Sequence, residues 1–323
     1  MPRPSLRAQC LTELSRQGGA ADIATLIAAS SRAALRSCLA AGEIVSLGGG
    51  WAIARELGHH LKDPPKAPAW HLEPQQWPDS WLALLAARKA VAASRRACLA
   101  LRCAALQHGW AILHEPTATE LAVPHGRKER RVVREHGPVT VVRRGLCAGE
   151  LSDRVTSPLR TVLDCAATLP LRDALAIADS ALRSGDVGAL ELAEAAARHP
   201  RARVATPIVE LASPLAANPF ESAMRAMTLD IQGARFEPQL EIVTPDGVAR
   251  VDLGEPNLRI ALEADSYLFH GSHDEFRRDM RRYNAVAALD WAIIRVGFRD
   301  LMQDPAALRA QVQSVVWERG RRT

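Results

Sequence analysis

Over the first sixty residues, apolar positions recur at helical spacing in three short runs, 6–16, 22–29 and 32–41. Gly18 and Gly19 break the first run from the second, and Ser30 and Ser31 separate the second from the third. After Gly42 the stretch EIVSLGGGWAIA reads as two apolar strands joined by three glycines, a hairpin signal. Three helices and a hairpin predict a winged helix-turn-helix over 1–60, in which the third helix offers Arg32 and Arg36 to DNA and the hairpin forms the wing. A small helical module that binds another protein fits the same pattern.

Residues 61–80 lose the periodicity and gain Pro64, Pro65, Pro68, Pro74 and Pro78, the composition of a semi-rigid linker. Trp70, Trp77 and Trp81 are expected to pin it to a neighbouring surface. A middle α+β domain, 81–205, should open with one long Ala/Leu-rich helix over 81–108. Strands at 110–113, 120–123, 131–134 and 139–143 follow, then helices starting near Ser157, Leu171 and Val187. Between 127 and 144 basic residues outnumber acidic ones, which describes a solvated hairpin face or, less simply, a phosphate contact.

The last domain, 206–323, reads helix, three strands, helix, strand, helix, an order that indicates layered α/β structure. The fold class is therefore mixed α/β, with the winged helix at the N-terminus. Within the three strands lie Asp252, Glu263 and Asp265. Glu263 and Asp265 are two residues apart and share a strand face. A turn centred between Pro256 and Asn257 would set Asp252 opposite Ala261, with Glu263 its diagonal neighbour about 7 Å away.

Carboxylates gathered on one face repel unless a cation compensates, and an all-oxygen set suits Mg²⁺ or Mn²⁺. Such an ion stabilises charge on a scissile phosphate. Glu221 is a further acidic ligand candidate, and His270 a candidate for proton transfer. Arg278 with Arg282, or Arg277 with Arg281, stand four apart on the next helix and would present phosphate-binding guanidinium groups. On a solvated face, Asp252 and Glu263 would instead pair with Arg250 and Arg259. Ser272 and Glu275 fit a helix capping box.

The stretch VDLGEPNLRIALEADSYLFHGSHDEFRRDMRRYNAVAALDWAIIRVGFRDLM resembles the very-short-patch-repair-like branch of the PD-(D/E)XK nuclease superfamily, and within it an uncharacterised actinobacterial family. The matching positions are Asp252, Glu263 with Asp265, His270 with Gly271, Arg278 and Asp279 with Arg282, and Asp290 and Trp291 with Arg295, within about 215–305. Residues 1–55 and VTSPLRTVLDCAATLP are similar to AbiEi-type antitoxins, whose N-terminal region is a winged helix. The resemblance implies a restriction-endonuclease-like domain that hydrolyses phosphodiester bonds with Mg²⁺ or Mn²⁺. Asp252, Glu263 and Asp265 would be catalytic and metal-binding, His270 catalytic, and the arginines would hold nucleic acid. Asp265 stands where that superfamily has a lysine. This departure leaves two expectations: an active DNA endonuclease, or a transcriptional regulator or antitoxin-like protein with an inactive nuclease fold. The latter would take a toxin or another protein as partner.

The remaining composition adds little. In 323 residues, 48% are apolar and only 4% aromatic, so the cores rest on Leu, Ala and Val, and the net charge of +5 suits a polyanion without requiring one. Six cysteines are scattered without a CxxC pair; Cys98, Cys103 and His108 lack zinc spacing. No signal peptide or apolar run of spanning length is visible, giving a cytoplasmic, non-membrane expectation.

Overall fold

The computed structural model describes residues 4–66, 76–127, 136–265 and 273–322. It is mixed α/β, with three sheets, and the chain divides into two compact units, Met1–Ala167 and Thr168–Thr323. His270, Gly271, Ser272, Trp70 and the strand expected at 131–134 lie outside the described residues.

The first unit begins α1 (Leu6–Arg16), β1 (Ala20–Asp22), α2 (Ile23–Ala29), α3 (Arg32–Ala40), β2 (Ile44–Gly48) and β3 (Trp51–Ala54). Ser5, Asp22 and Ser31 cap the three helices by accepting from the backbone N–H of Ala8, Thr25 and Ala34. The hairpin turns through Gly48, Gly49 and Gly50, at φ of 72°, 58° and 84°, angles that only glycine adopts without strain. The sheet has three strands in the order β1-β3-β2, one more than the hairpin foreseen. Ala20–Asp22 is too short to show a period, and it enters the sheet because Ala20 pairs with Ile53. Cys10, Leu14, Leu26, Leu35, Cys38, Ile44 and Ala52 fill the space between helices and sheet.

A further helix, α4 (Arg55–Lys62), follows and inserts Leu57 and Leu61 into a second core with Trp77, Trp81, Leu84 and Leu85. The segment from Trp77 onward is thus anchored by burial, as expected of two of the three tryptophans. Helix α4, with Leu47 and Ile53 of the hairpin, shares this second core with Trp77 and the residues that follow it, while α1, α2 and α3 keep to the first.

The long helix expected over 81–108 is two helices, α5 (Asp79–Ser94) and α6 (Leu101–Gln107), with β4 (Cys98–Leu99) between them. Arg96 and Leu101 take positive φ of 50° and 51°, which breaks the helix at each end of the strand. The Glu120 carboxylate then receives the first N–H groups of α6, Arg102 at 2.7 Å and Cys103 at 3.3 Å. A short buried strand in an Ala/Leu-rich run has no periodicity to distinguish it from helix.

Strand β4 pairs with β5 (Thr119–Val123), which pairs in parallel with β6 (Val139–Arg143). On its other side lie β8 (Val155–Thr156) and β7 (Leu151–Ser152), giving the order β6-β5-β4-β8-β7. Residues 110–113 form no strand. Helix α7 (Pro158–Ala166) closes the unit with Ser157 as its N-cap. In the basic segment, Arg127 donates to the carbonyls of Arg95 and Arg96 at the end of α5. Arg144 pairs with buried Asp164 at 2.8 Å. Those two charges are used internally rather than presented to solvent.

The second unit carries α8 (Leu171–Ser184), α9 (Ala189–Arg198), α10 (Ala202–Leu211) and α11 (Pro219–Thr228). The first three fall in the middle domain of the sequence reading, which placed its boundary at 205/206; the contacts divide the chain at 167/168. The physical tie is between α8 and α11, where Arg225 Nη2 donates to both oxygens of Asp179 at 2.8 and 2.6 Å. The sheet strands are β9 (Glu237–Thr244), β10 (Gly247–Glu255), β11 (Ile260–Asp265) and, after α12 (His273–Ala287), β12 (Ala292–Gly297). Their order is β12-β11-β10-β9, antiparallel except for the parallel β11–β12 pair. Short α13 (Phe298–Gln303) and the closing α14 (Pro305–Gly320) complete the unit. No single helix among the described residues is long and apolar enough to cross a membrane.

Candidate carboxylate site

Strand pairing decides which acids meet. Leu253 pairs with Leu262 and Glu255 with Ile260, so the turn is centred between Asn257 and Leu258, one position later than expected. The cause is local: both Glu255 oxygens accept inside the turn, from Leu258 N at 2.6 Å and Asn257 Nδ2 at 3.3 Å. Continuing that register by one residue sets Asp252 directly opposite Glu263 rather than diagonal to it. The displacement is two residues along the strand, so both acids keep the face they were assigned. Gly254 lies beside them because a Cβ there would collide with the Leu240 side chain.

Asp252 uses Oδ2 to accept the Ala264 N–H at 2.8 Å, just beyond the last backbone pair of β10 and β11, Leu253 with Leu262. Glu221 sits in the first turn of α11. Asn218, the N-cap, accepts from Phe220 and Glu221 through its carbonyl oxygen and donates its amide to Glu221 Oε1 at 2.7 Å. Glu221 Oε2 accepts from Ala217 N at 2.8 Å and from Gln239 Nε2 at 2.8 Å. The same Gln239 nitrogen lies 3.4 Å from Asp252 Oδ1, so one amide bridges two carboxylates from different elements. Gln239 holds φ at 54°, a costly backbone for a non-glycine residue. Nothing in the sequence around Gln239 marks it as a site residue; the only signal is a proline before it in an edge strand.

On the other flank, Glu263 is gripped by the Arg282 fork, Nη1 to Oε1 at 3.0 Å and Nη2 to Oε2 at 3.3 Å, with the Tyr283 hydroxyl at 3.5 Å. Arg282 also donates to the Arg250 carbonyl at 2.6 Å. Its guanidinium packs 4.7 Å from the Tyr283 ring centre, and that of Arg295 lies 5.5 Å from it. Arg250 acts on Asp252 through its charge, after the burial and the nearer groups. Arg259 donates to the Leu289 carbonyl instead.

The electrostatics follow from burial. Glu221 and Glu263 are only 5% and 4% exposed. Burial, reinforced by the charge of Asp252, pushes each carboxyl up to about 7, although Arg282 pulls Glu263 back. Burial also raises Asp252, opposed by the Ala264 N–H and Arg282. Ionising all three acids side by side is unfavourable without a cation.

The sign of the pH effect is fixed. Both glutamates bind a proton more tightly folded than unfolded, so their contribution to stability is full below about pH 4.5 and is lost as pH rises through about 7. Thermal melts from about pH 5 to about pH 8 should show a fall, on the order of a few kcal/mol, that Glu221→Gln reduces. Parallel curves for the two proteins would remove Glu221 as the source.

Asp265 is not drawn into this cluster. It pairs with Arg295 Nη2 at 2.7 Å, with 41% and 56% of the two side chains exposed. Arg277, Arg278 and Arg281 are exposed on α12, and Arg32 and Arg36 are exposed on α3. The cysteines are free; Cys10, Cys38, Cys103 and Cys165 are buried, Cys98 partly so, and Cys147 is exposed. Among the described residues, no three His, Cys, Asp or Glu side chains stand close enough to hold a metal ion in this arrangement. The donor type nevertheless suits a hard cation, since Glu221, Asp252 and Glu263 offer only oxygen. What keeps them apart is visible: Gln239 spans one pair, and Arg282 occupies both oxygens of Glu263.

No family model matches the chain. It is similar to two uncharacterized proteins of Mycobacterium tuberculosis, MT2308 of strain CDC 1551 / Oshkosh and Rv2248 of strain H37Rv, each 30% identical over 161 residues. The match takes in 49% of this chain and 59% of each relative, so the chain spans about three-fifths of their length.

Proposed function

We propose that the protein binds DNA and that its second unit is a divalent-metal-dependent endonuclease domain. The observation that carries this reading is the acid set of buried Glu221, half-buried Asp252 and buried Glu263, contributed by α11, β10 and β11, with Gln239 bridging the first two and Arg282 holding the third. Glu221, Asp252 and Glu263 would hold Mg²⁺ or Mn²⁺. Such an ion would stabilise the charge that develops on a scissile phosphate and lower the pKa of a bound water. The exposed arginines of α12 would position the phosphate backbone, and Arg32 and Arg36 on α3 would bind DNA from the first unit. His270 remains the proposed proton-transfer residue, and Asp265 the weakest of the proposed ligands, since Arg295 already neutralises it. A protein acting on cellular DNA would work in the cytoplasm.

One observation favours a second reading, a regulator or antitoxin-like DNA-binding protein whose nuclease fold does not cut. Glu263 and Asp265 both have arginine partners, so two of the proposed ligands are neutralised without metal. The discriminating experiment incubates the full chain with double-stranded, mismatched and single-stranded DNA in Mg²⁺ or in EDTA. Cleavage in Mg²⁺ and none in EDTA is the expected result. Specific binding to duplex DNA with no cleavage under any metal would establish the regulator instead, and cleavage that persists in EDTA would overturn the metal mechanism.

A further inference from the structure

We infer that Arg282 is the resident counter-ion of the carboxylate face, and that a divalent cation must displace it from Glu263 to bind. The inference rests on the metal-dependent reading above and adds to it an exchange between two cations at one carboxylate.

Four features carry it. Both Glu263 oxygens face the Arg282 fork at 3.0 and 3.3 Å, so an ion taking either oxygen must break a charge-assisted hydrogen bond. A guanidinium stays protonated at any working pH, so its charge cannot be removed in place and the group has to move. It has somewhere to go: the Arg282 side chain is 28% exposed, and Asp279, 59% exposed one turn earlier, already lies 3.6 Å from Nη2. Finally, Arg282 belongs to the same helix as exposed Arg277, Arg278 and Arg281. Once released, it joins a row of guanidinium groups suited to phosphate.

Two consequences follow. In the arrangement seen, Arg282 offsets part of the repulsion between Asp252 and Glu263, which keeps the acid pair folded without metal. In the exchanged arrangement the cation takes over that task, and the fork becomes a phosphate ligand. Metal and phosphate should then each strengthen the binding of the other, because both favour the released arginine.

The test is calorimetric titration of Mn²⁺ into the full chain, comparing the wild type with Arg282→Gln and Arg282→Lys, in the absence of DNA. Arg282→Gln should bind Mn²⁺ about tenfold more tightly, because breaking the fork no longer opposes the ion. Arg282→Lys keeps a positive charge but not the two-pronged grip, and should fall between the two. Removing the counter-ion also leaves Glu263 buried and unpaired, so the melting temperature of Arg282→Gln should fall without metal and rise further than that of the wild type when Mn²⁺ is added. If Arg282→Gln does not fold, the lysine variant against the wild type decides. Equal or weaker Mn²⁺ binding in the folded variants, with wild-type binding lost in Asp252→Ala, overturns the exchange and leaves the metal site standing. No Mn²⁺ binding by any of the proteins overturns both.

Discussion

Asp252→Ala is expected to reduce Mg²⁺-dependent DNA cleavage by about a thousandfold or more while leaving the protein folded. On the metal-dependent mechanism proposed above, a charged ligand at the centre of the acid cluster would supply several kcal/mol of transition-state stabilisation through the ion, and each 1.4 kcal/mol is about tenfold in rate. The effect on folding is unusual for a half-buried acid. The charge of Asp252 is one of the causes that push Glu221 and Glu263 up to about 7, so removing it relieves repulsion even as the Ala264 N–H loses its acceptor. The melting temperature near pH 8 should therefore stay within a few degrees of the wild type, or rise. A variant that still cuts within tenfold of the wild-type rate would remove Asp252 from the chemistry.

The second large effect lies away from the site. Asp179 and Arg225 form an ion pair whose side chains are 0% and 8% exposed, and Asp179 also accepts the Ser213 N–H at 2.7 Å. Asp179→Ala would leave the Arg225 guanidinium in the core with its hydrogen bond to the Leu211 carbonyl and no counter-charge from Asp179. Loss of one partner of a buried pair costs about 3–5 kcal/mol. In a unit of this size that lowers the melting temperature by roughly 10 °C or more. Arg225→Met should be less damaging in acid, since burial already raises the proton affinity of Asp179 and the lone carboxyl can then be neutral. Combining Asp179→Leu with Arg225→Met replaces the pair by apolar side chains and should recover much of the loss. Urea melts of the single and double variants measure this. An Asp179→Ala loss below about 1 kcal/mol would mean that the pair does not hold α8 to α11.

The parts of the fold legible in sequence were those with a strong local signal. The helix expected to start near Ser157 begins at Pro158 with Ser157 as its cap, and the hairpin is where three glycines interrupt two apolar runs. The misses have physical causes. Cys98–Leu99 is two residues of strand in an Ala/Leu-rich stretch, and Ala20–Asp22 is three, so neither shows a period. The sequence reading put a boundary at 205/206, whereas the contacts place α8 with α11, which packs on it and holds it by an ion pair across more than forty residues of chain. At the site, the shared face of Asp252 and Glu263 was readable from the strand period, but their register was not, because the turn is centred one position later than expected. Which arginine meets Glu263 was not readable, and neither was Gln239, whose role depends on a left-handed backbone that no residue type announces.

The Glu255-stapled turn between β10 and β11 also limits how this protein can diverge. Side chains alternate across a sheet with a period of two, so lengthening or shortening residues 256–259 by a single position would send Asp252 and Glu263 to opposite faces unless a bulge absorbed the change. Changes in steps of two would preserve the pairing of faces. Relatives that retain the acid pair should therefore differ in the length of this turn by even numbers. An odd difference would require a bulge or a longer loop for the two acids still to meet.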